Sequence, residues 1–219
     1  ELAIGLMFSC ARYISIAGHT MRQNKWEKKA YGKGFELCGK TLGVIGYGRI
    51  GKRIGDIAQA IGMKVIAYQR HPKPEYECDT MRFAPLDELL ASADIIALST
   101  PSLGAPIINA ENIEKMKDGV VIINTSRGGL IDTEALITGM KSGKVYGAGL
   151  DVYEEEGDLF YEDFSGHIVR DDKLVRLIAM PNVLVTSHQA FLTEEALSNI
   201  AETTIDNLQR FFRGEPNPM

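Results

Sequence analysis

The sequence predicts an α/β protein built on a doubly wound parallel sheet, and three observations predict it. Residues 41–51, TLGVIGYGRIG, join an apolar run of strand type to a helix through Gly46, Gly48 and Gly51. Continuous apolar runs then alternate with amphipathic segments along the chain, the pattern of strands covered on both faces by helices. The residues with the most distinctive chemistry fall at the carboxyl ends of those runs, which in such a sheet share one edge.

A bare G-x-G-x-x-G spacing is a weak signal, because any glycine-rich turn satisfies it. Here a strand precedes it, IGKRIGDIAQAIG continues it as a helix, and MKVIAY at 63–68 supplies a second strand. In that setting each glycine has its own reason. Gly46 makes the tight turn, Gly48 lets backbone approach a pyrophosphate, and Gly51 lets helix and strand pack closely. The helix start adds unpaired N–H groups and a positive dipole end. The reading is a Rossmann-type dinucleotide-binding domain.

Composition sets the outer bounds. At 219 residues the chain can bury a large core, and 24% charged with 45% hydrophobic residues is a globular balance. A net charge of −5 argues against a nucleic-acid or membrane surface as the main partner. Cys10, Cys38 and Cys78 are odd in number and lack metal-ligand spacing, so buried or inert thiols in a reducing cytosol, and no metal, are expected. The opening residue is Glu1, so a processed start or a longer parent protein is expected. The apolar residues 2–17 have no basic leader and are interrupted by Ser9, Arg12 and Ser15, against export or membrane spanning.

The elements follow in order. Residues 2–17 read as a helix apolar on most sides, to be buried against several neighbours. Residues 19–40 read as a basic, solvated connector with Trp26 as its one large apolar anchor. After the glycine unit, QRHPKPEYE at 69–77 is a proline-punctuated loop. Helices are expected at 86–93, 109–116, 133–142 and 174–180, and strands at 94–99, 120–125, 145–152 and 182–187. Thr193 is the expected N-cap of a long final helix ending near Gly214.

The sheet-edge rule singles out Arg127, Asp151, Glu156 and His188. A hydride delivered to a carbonyl carbon leaves an oxygen that must take a proton, and histidine is the usual donor. A carboxylate beside the imidazole favours its proton-bearing form and orients it, a part Glu156 can play. Arg127 can hold a substrate carboxylate by a two-pronged contact and polarise the carbonyl. Asp151 closes a strand where a nicotinamide carboxamide is expected. Each residue alone has an ordinary structural use, and Glu154 and Glu155 stand beside Glu156 as further carboxylates.

KTLGVIGYGRIGKR, VVIINTSRGGLIDTEAL, GAGLDVYEEEGDLFYEDFS and NVLVTSHQAFLTEEAL resemble the D-2-hydroxyacid dehydrogenase family, the last three its D-lactate dehydrogenase branch. The resemblance covers nearly the whole chain. It implies that Arg127 binds and orients substrate, that His188 is the acid–base, and that Glu156, the third of the triplet, is its partner. It places Tyr47, Arg49, Ile50, Thr100, Pro101, Thr125, Ser126 and Asp151 against a nicotinamide cofactor, NAD or NADP. It also implies a cytoplasmic homodimer paired through the cofactor domain. Glu156 disfavours a formate dehydrogenase, which carries glutamine there.

Two departures stand out. Family members that use NAD end the second strand in an acidic residue that grips the ribose. This chain has Gln69, then Arg70 and His71, a pattern resembling the NADPH-using glyoxylate/hydroxypyruvate reductases and implying an NADP(H) preference. Family members also begin with a smaller substrate domain. The expected division is therefore 1–20 as a hinge and dimer helix of that absent domain, 21–40 as connector, 41–190 as the dinucleotide-binding domain, and 191–219 as a helix that would pack on the absent domain. The expected activity is reduction of a small 2-keto acid such as pyruvate, weak in this chain alone. The alternatives are a glyoxylate/hydroxypyruvate reductase and a non-catalytic NAD(P)-binding module.

Overall fold

The computed structural model describes residues 1–26, 32–102, 104–158 and 170–216. Part of the basic connector (27–31) and the later part of the quoted GDLFYEDFS motif (159–165) lie outside the described residues. The chain divides into two compact units, Glu1–Ser187 and His188–Met219.

The first unit holds seven parallel strands: β1 (Thr41–Ile45), β2 (Lys64–Tyr68), β3 (Met81–Phe83), β4 (Ile95–Leu98), β5 (Val120–Asn124), β6 (Val145–Leu150) and β7 (Val183–Val185). Their order across the sheet is β3-β2-β1-β4-β5-β6-β7. This is the doubly wound Rossmann arrangement, reversing direction between β1 and β4. Strands β1, β4 and β5 read almost wholly apolar because both faces are covered.

One face carries α1 (Leu2–Arg12) over β5, β6 and β7, and α3 (Arg49–Ala60) over β1 and β2. Helix α1 sits low because β6 turns glycines toward it. A Cβ on Gly149 would stand 2.8 Å from Leu6 Cβ, while Gly147 lies under Cys10. The other face is packed by α4 (Leu86–Ser92), α5 (Ala110–Lys115), α6 (Thr133–Ser142) and α7 (Asp172–Ile178). Asp132 caps α6 through the Glu134 and Ala135 N–H groups, and Asp171 caps α7 through that of Leu174.

The opening helix differs from expectation. It is not one buried rod over 2–17. Helix α1 stops at Tyr13, whose φ of 54° is left-handed, and α2 (Ile14–Arg22) departs at 66°. The conformation is unfavourable for tyrosine by about 1–2 kcal/mol. It is compensated across the sheet edge, where the Tyr146 hydroxyl bonds that of Tyr13 and their rings meet at 6.0 Å. Helix α2 buries no residue, and Trp26 is 74% exposed rather than an anchor. Of the cysteines only Cys10 is buried, and that burial pushes its thiol up to about 12; Cys38 and Cys78 are exposed. No single helix is long and apolar enough to cross a membrane among the described residues.

The second unit begins with His188–Leu192 and continues as α8 (Glu194–Arg213), capped by the Thr193 hydroxyl and ended by left-handed Gly214. None of its described residues is buried, and Leu197, Ile200, Leu208 and Phe211 form an exposed apolar stripe at helical spacing.

The fit of α1 to β6 yields a measurable consequence. Gly149→Ala should lower stability by about 1–3 kcal/mol, because the new methyl also stands 3.0 Å from Ile123 Cδ1. The urea midpoint of the purified chain should fall accordingly.

Candidate functional site

Parallel pairing brings the carboxyl ends of β1 to β7 to one edge, so Gln69, Gly46, Ser99, Thr125, Asp151 and Thr186 follow one another along it. At the reversal between β1 and β4 the chain leaves Ile45 and turns at Gly46, with φ 94°. The Gly46 N–H bonds the Tyr68 carbonyl at 2.9 Å, and the Ser99 N–H bonds that of Ile45 at 2.8 Å. A Cβ on Gly46 would lie 2.5 Å from the Ser99 carbonyl oxygen. A Cβ on Gly51 would lie 2.0 Å from the Gly46 carbonyl oxygen and 3.1 Å from Val44 Cγ1, so the helix rests directly on the turn. Gly48 differs: it is the N-cap of α3, extended, and nothing stands within 4 Å of a Cβ built there. That open space lies where the unpaired N–H groups of the helix start emerge.

A cavity of about 400 Å³ extends from this turn between the ends of β1, β2 and β4, lined by Gly46, Gly48, Gln69, Arg70, Thr100 and Pro101 among others. Two of its lining residues carry buried side-chain oxygens with no hydrogen-bond partner among the described residues, Gln69 Oε1 and Ser99 Oγ. Buried polar atoms are nearly always paired. An acceptor and a hydroxyl on two residues that line one cavity are groups of the kind that pair with ribose hydroxyls. Arg70 and Arg49 are exposed there, as is Ile50. The side chain of Tyr47 is turned away. It is 2% exposed, wedged beneath α3 against Gly55, with Phe83 edge-on at 5.6 Å. Burial, with Asp56 nearby, pushes its phenol up to about 12. Only its backbone is available to a ligand.

The loop after β5 is organised by Asn124, a residue the sequence reading passed over. The amide is 1% exposed and bonds both Ser126 N–H and the Arg127 carbonyl. The Ser126 hydroxyl donates to the Thr100 carbonyl at 2.5 Å. Arg127 is exposed, with Nη1 donating to the Ser126 carbonyl at 2.7 Å, and no carboxylate pairs with it among the described residues. Beyond it Gly128 abuts β6's exit: a Cβ would lie 2.0 Å from the Tyr153 carbonyl. Only a polar residue closing VVIIN hinted at Asn124.

Asp151 is fully buried at the end of β6, its Oδ1 accepting the Thr186 hydroxyl at 2.6 Å. The three following glutamates part company. Glu154 pairs with Lys173 at 3.0 Å, and Glu155 is exposed. Glu156 is half-buried, with Oε2 accepting the Tyr153 N–H at 3.0 Å. Tyr153 in turn donates its hydroxyl to Asp171 at 2.7 Å. Burial above all, then Asp171, raises that phenol well above its usual range. Of the four edge residues singled out, Arg127, Asp151 and Glu156 belong to the first unit. His188 opens the second, half-buried, with φ 51° and Phe191 edge-on at 6.4 Å. Positive φ at a histidine is uncommon and marks a sharp change of chain direction.

Residues 4–190 match the model of the D-isomer specific 2-hydroxyacid dehydrogenase, NAD binding domain. The chain belongs to that family. It is 44% identical over 213 residues to 2-hydroxyacid dehydrogenase A of Aspergillus oryzae, covering 96% of this chain and 61% of that protein. The solved pyruvate reductase of Chlamydomonas reinhardtii superposes with a TM-score of 0.93 at 41% identity, covering 99% of this chain and 66% of the other. D-lactate dehydrogenase of Lactobacillus jensenii, solved with NAD+, gives 0.87 at 32% identity, with 99% and 66% covered. The chain thus spans less than two thirds of the length of each of these relatives.

The two family glycines at the helix start should separate on substitution. Gly48→Ala meets open space and should leave the thermal midpoint nearly unchanged while weakening dinucleotide binding roughly tenfold or more, since its methyl occupies the phosphate approach. Gly51→Ala should destabilise the fold itself, by about 1–3 kcal/mol or more. Thermal unfolding alongside cofactor titration by fluorescence distinguishes the two.

Proposed function

We infer that the chain is the cofactor-binding and catalytic-edge part of an NAD(P)-dependent reductase of small 2-keto acids, forming a D-2-hydroxy acid such as D-lactate. The observation that carries this reading is the cavity at the β1/β4 reversal. It combines an open Gly48, a helix start and two orphaned oxygens suited to a ribose. A reduced nicotinamide bound there would supply the hydride that the keto carbon takes up. Arg127 holds the substrate carboxylate and polarises its carbonyl. His188 gives the proton to the carbonyl oxygen, and Glu156 orients the imidazole and favours its charged form. Gly46, Gly48, Arg49, Ile50 and Gly51 receive the pyrophosphate. Thr100, Pro101, Thr125, Ser126 and Asp151 line the nicotinamide side.

NADP(H) is the proposed cofactor. Gln69 accepts from a ribose hydroxyl without bringing a negative charge, and exposed Arg70 pairs with a 2′-phosphate. Segments 1–20 and 191–219 are proposed to meet the substrate domain that longer relatives carry, where the apolar stripe of α8 gains its cover. A cytoplasmic homodimer belongs to the same reading.

Two measurements on a full-length protein test this. Wild type should oxidise NADPH in preference to NADH with pyruvate present. Arg70→Gln should cost roughly 10- to 100-fold in NADPH binding, the worth of a charge-assisted contact, and spare NADH. A clear NADH advantage in the wild type removes the NADP(H) proposal. His188→Gln should lower kcat roughly 10²–10⁴-fold with cofactor binding retained. Cofactor binding with no turnover in the wild type would instead favour a binding module.

A further inference from the structure

Asn124 ends β5 almost wholly buried, and a buried primary amide must place both its donors and its acceptor. Its Oδ1 accepts the Ser126 N–H at 3.0 Å, and its Nδ2 donates to the Arg127 carbonyl at 2.8 Å. One side chain therefore holds the N–H of the residue before the arginine and the carbonyl that leaves the arginine. The backbone carbonyl of Asn124 accepts the Asp151 N–H at 2.8 Å, and Asp151 receives Thr186. On the opposite side the Ser126 hydroxyl reaches the Thr100 carbonyl. The end of β5 is thereby tied to that of β4 through Ser126 and to that of β6 through the Asn124 backbone, and β6 to β7 through Asp151 and Thr186.

The geometry points to Asn124 and Ser126 as positioning residues for the proposed reduction, setting where the Arg127 guanidinium meets the substrate carboxylate. The proposal rests on the reading of Arg127 as the carboxylate holder. A fork-to-fork guanidinium contact is directional, and an arginine on a loose loop would have to search for it. With the N–H before it and its own carbonyl both held by Asn124, and the next residue stopped against Tyr153, the backbone that carries Arg127 is confined. A shift of about 1 Å at such a contact costs on the order of 10²-fold in rate. Neither Asn124 nor Ser126 acts on the reacting atoms in this scheme. They act through the arginine.

Two small substitutions isolate the effect. Asn124→Asp keeps the acceptor for Ser126 N–H but turns an oxygen toward the Arg127 carbonyl. Ser126→Ala cuts the tie to Thr100. Both are compared with Arg127→Ala in a full-length protein, by steady-state kinetics with pyruvate and by thermal unfolding. Asn124→Asp should raise the KM for pyruvate roughly tenfold, change kcat less, and leave the KM for reduced cofactor within about twofold; Ser126→Ala, at a residue also placed beside the nicotinamide, should raise the KM for pyruvate several-fold more than that for cofactor. Wild-type pyruvate KM in Arg127→Ala would overturn the arginine reading itself. Lost saturation in Arg127→Ala, with wild-type pyruvate KM in both other variants, would overturn the positioning proposal alone. Parallel rises in pyruvate and cofactor KM would also overturn it, since a general softening of the edge produces that pattern. If Asn124→Asp does not fold, Ser126→Ala decides.

Discussion

The backbone of Gly46 lies against the carbonyl of Ser99 so closely that a single added carbon would stand 2.5 Å away, and the arrangement of the edge follows from that approach. Strand β1 is paired to β2 on one side and β4 on the other, while the segments leaving them go to opposite faces. The chain must turn within one strand's width, which only a residue without a side chain at positive φ allows. The turn opens a crevice where the strand order reverses and aims the start of α3 into it. Gly51, whose Cβ would strike the Gly46 carbonyl, holds the helix at that distance.

The edge then behaves in two ways along its length. Around β1, β2 and β4 it leaves polar atoms buried and unpaired, Gln69 Oε1 and Ser99 Oγ. Leaving such an atom without a partner costs about 1–3 kcal/mol. Around β5, β6 and β7 the polar groups are paired: Asn124 bonds its own loop, Ser126 reaches the end of β4, and Asp151 takes Thr186 from the end of β7. A satisfied buried network is rigid, and rigidity suits a loop that presents a charged side chain. One part of the edge is prepared to bind and the adjoining part to hold still.

Much of this was legible in residue order. Helix α6 begins and ends where its Asp132 cap and Gly143 stop place it, and α8 runs from the Thr193 cap to Gly214. The strands beginning at 41, 64, 95, 120, 145 and 183 are apolar runs bounded by polar or glycine residues, trimmed by a residue or two from expectation. Strand β3 was missed because three residues at a sheet edge, one of them Arg82, carry no periodic signal. The start of α7 was placed late because its Asp171 cap lies among acidic neighbours. The break at Tyr13 was invisible, since a left-handed tyrosine is disfavoured locally and is held by Tyr146, over a hundred residues away. At the edge, Arg127 and the glutamates stood out by charge. Asn124 did not, because its importance lies in hydrogen bonds to its own loop rather than in chemistry of its own.

By itself, residue order determined the alternation of strand and helix, the glycine turn and the polar residues that stand at the strand ends. These are local properties: apolar period, capping oxygens and the absence of a side chain where backbone must pass. Only the tertiary structure decided that Tyr47 turns into the core, that Glu154 is engaged by Lys173 while Glu156 folds onto its own loop, and that Gln69 and Ser99 keep oxygens unpaired in one cavity. Those outcomes depend on which distant backbone or side chain fills the space beside a residue. That is settled when seven strands fall into register, and no window along the chain contains it.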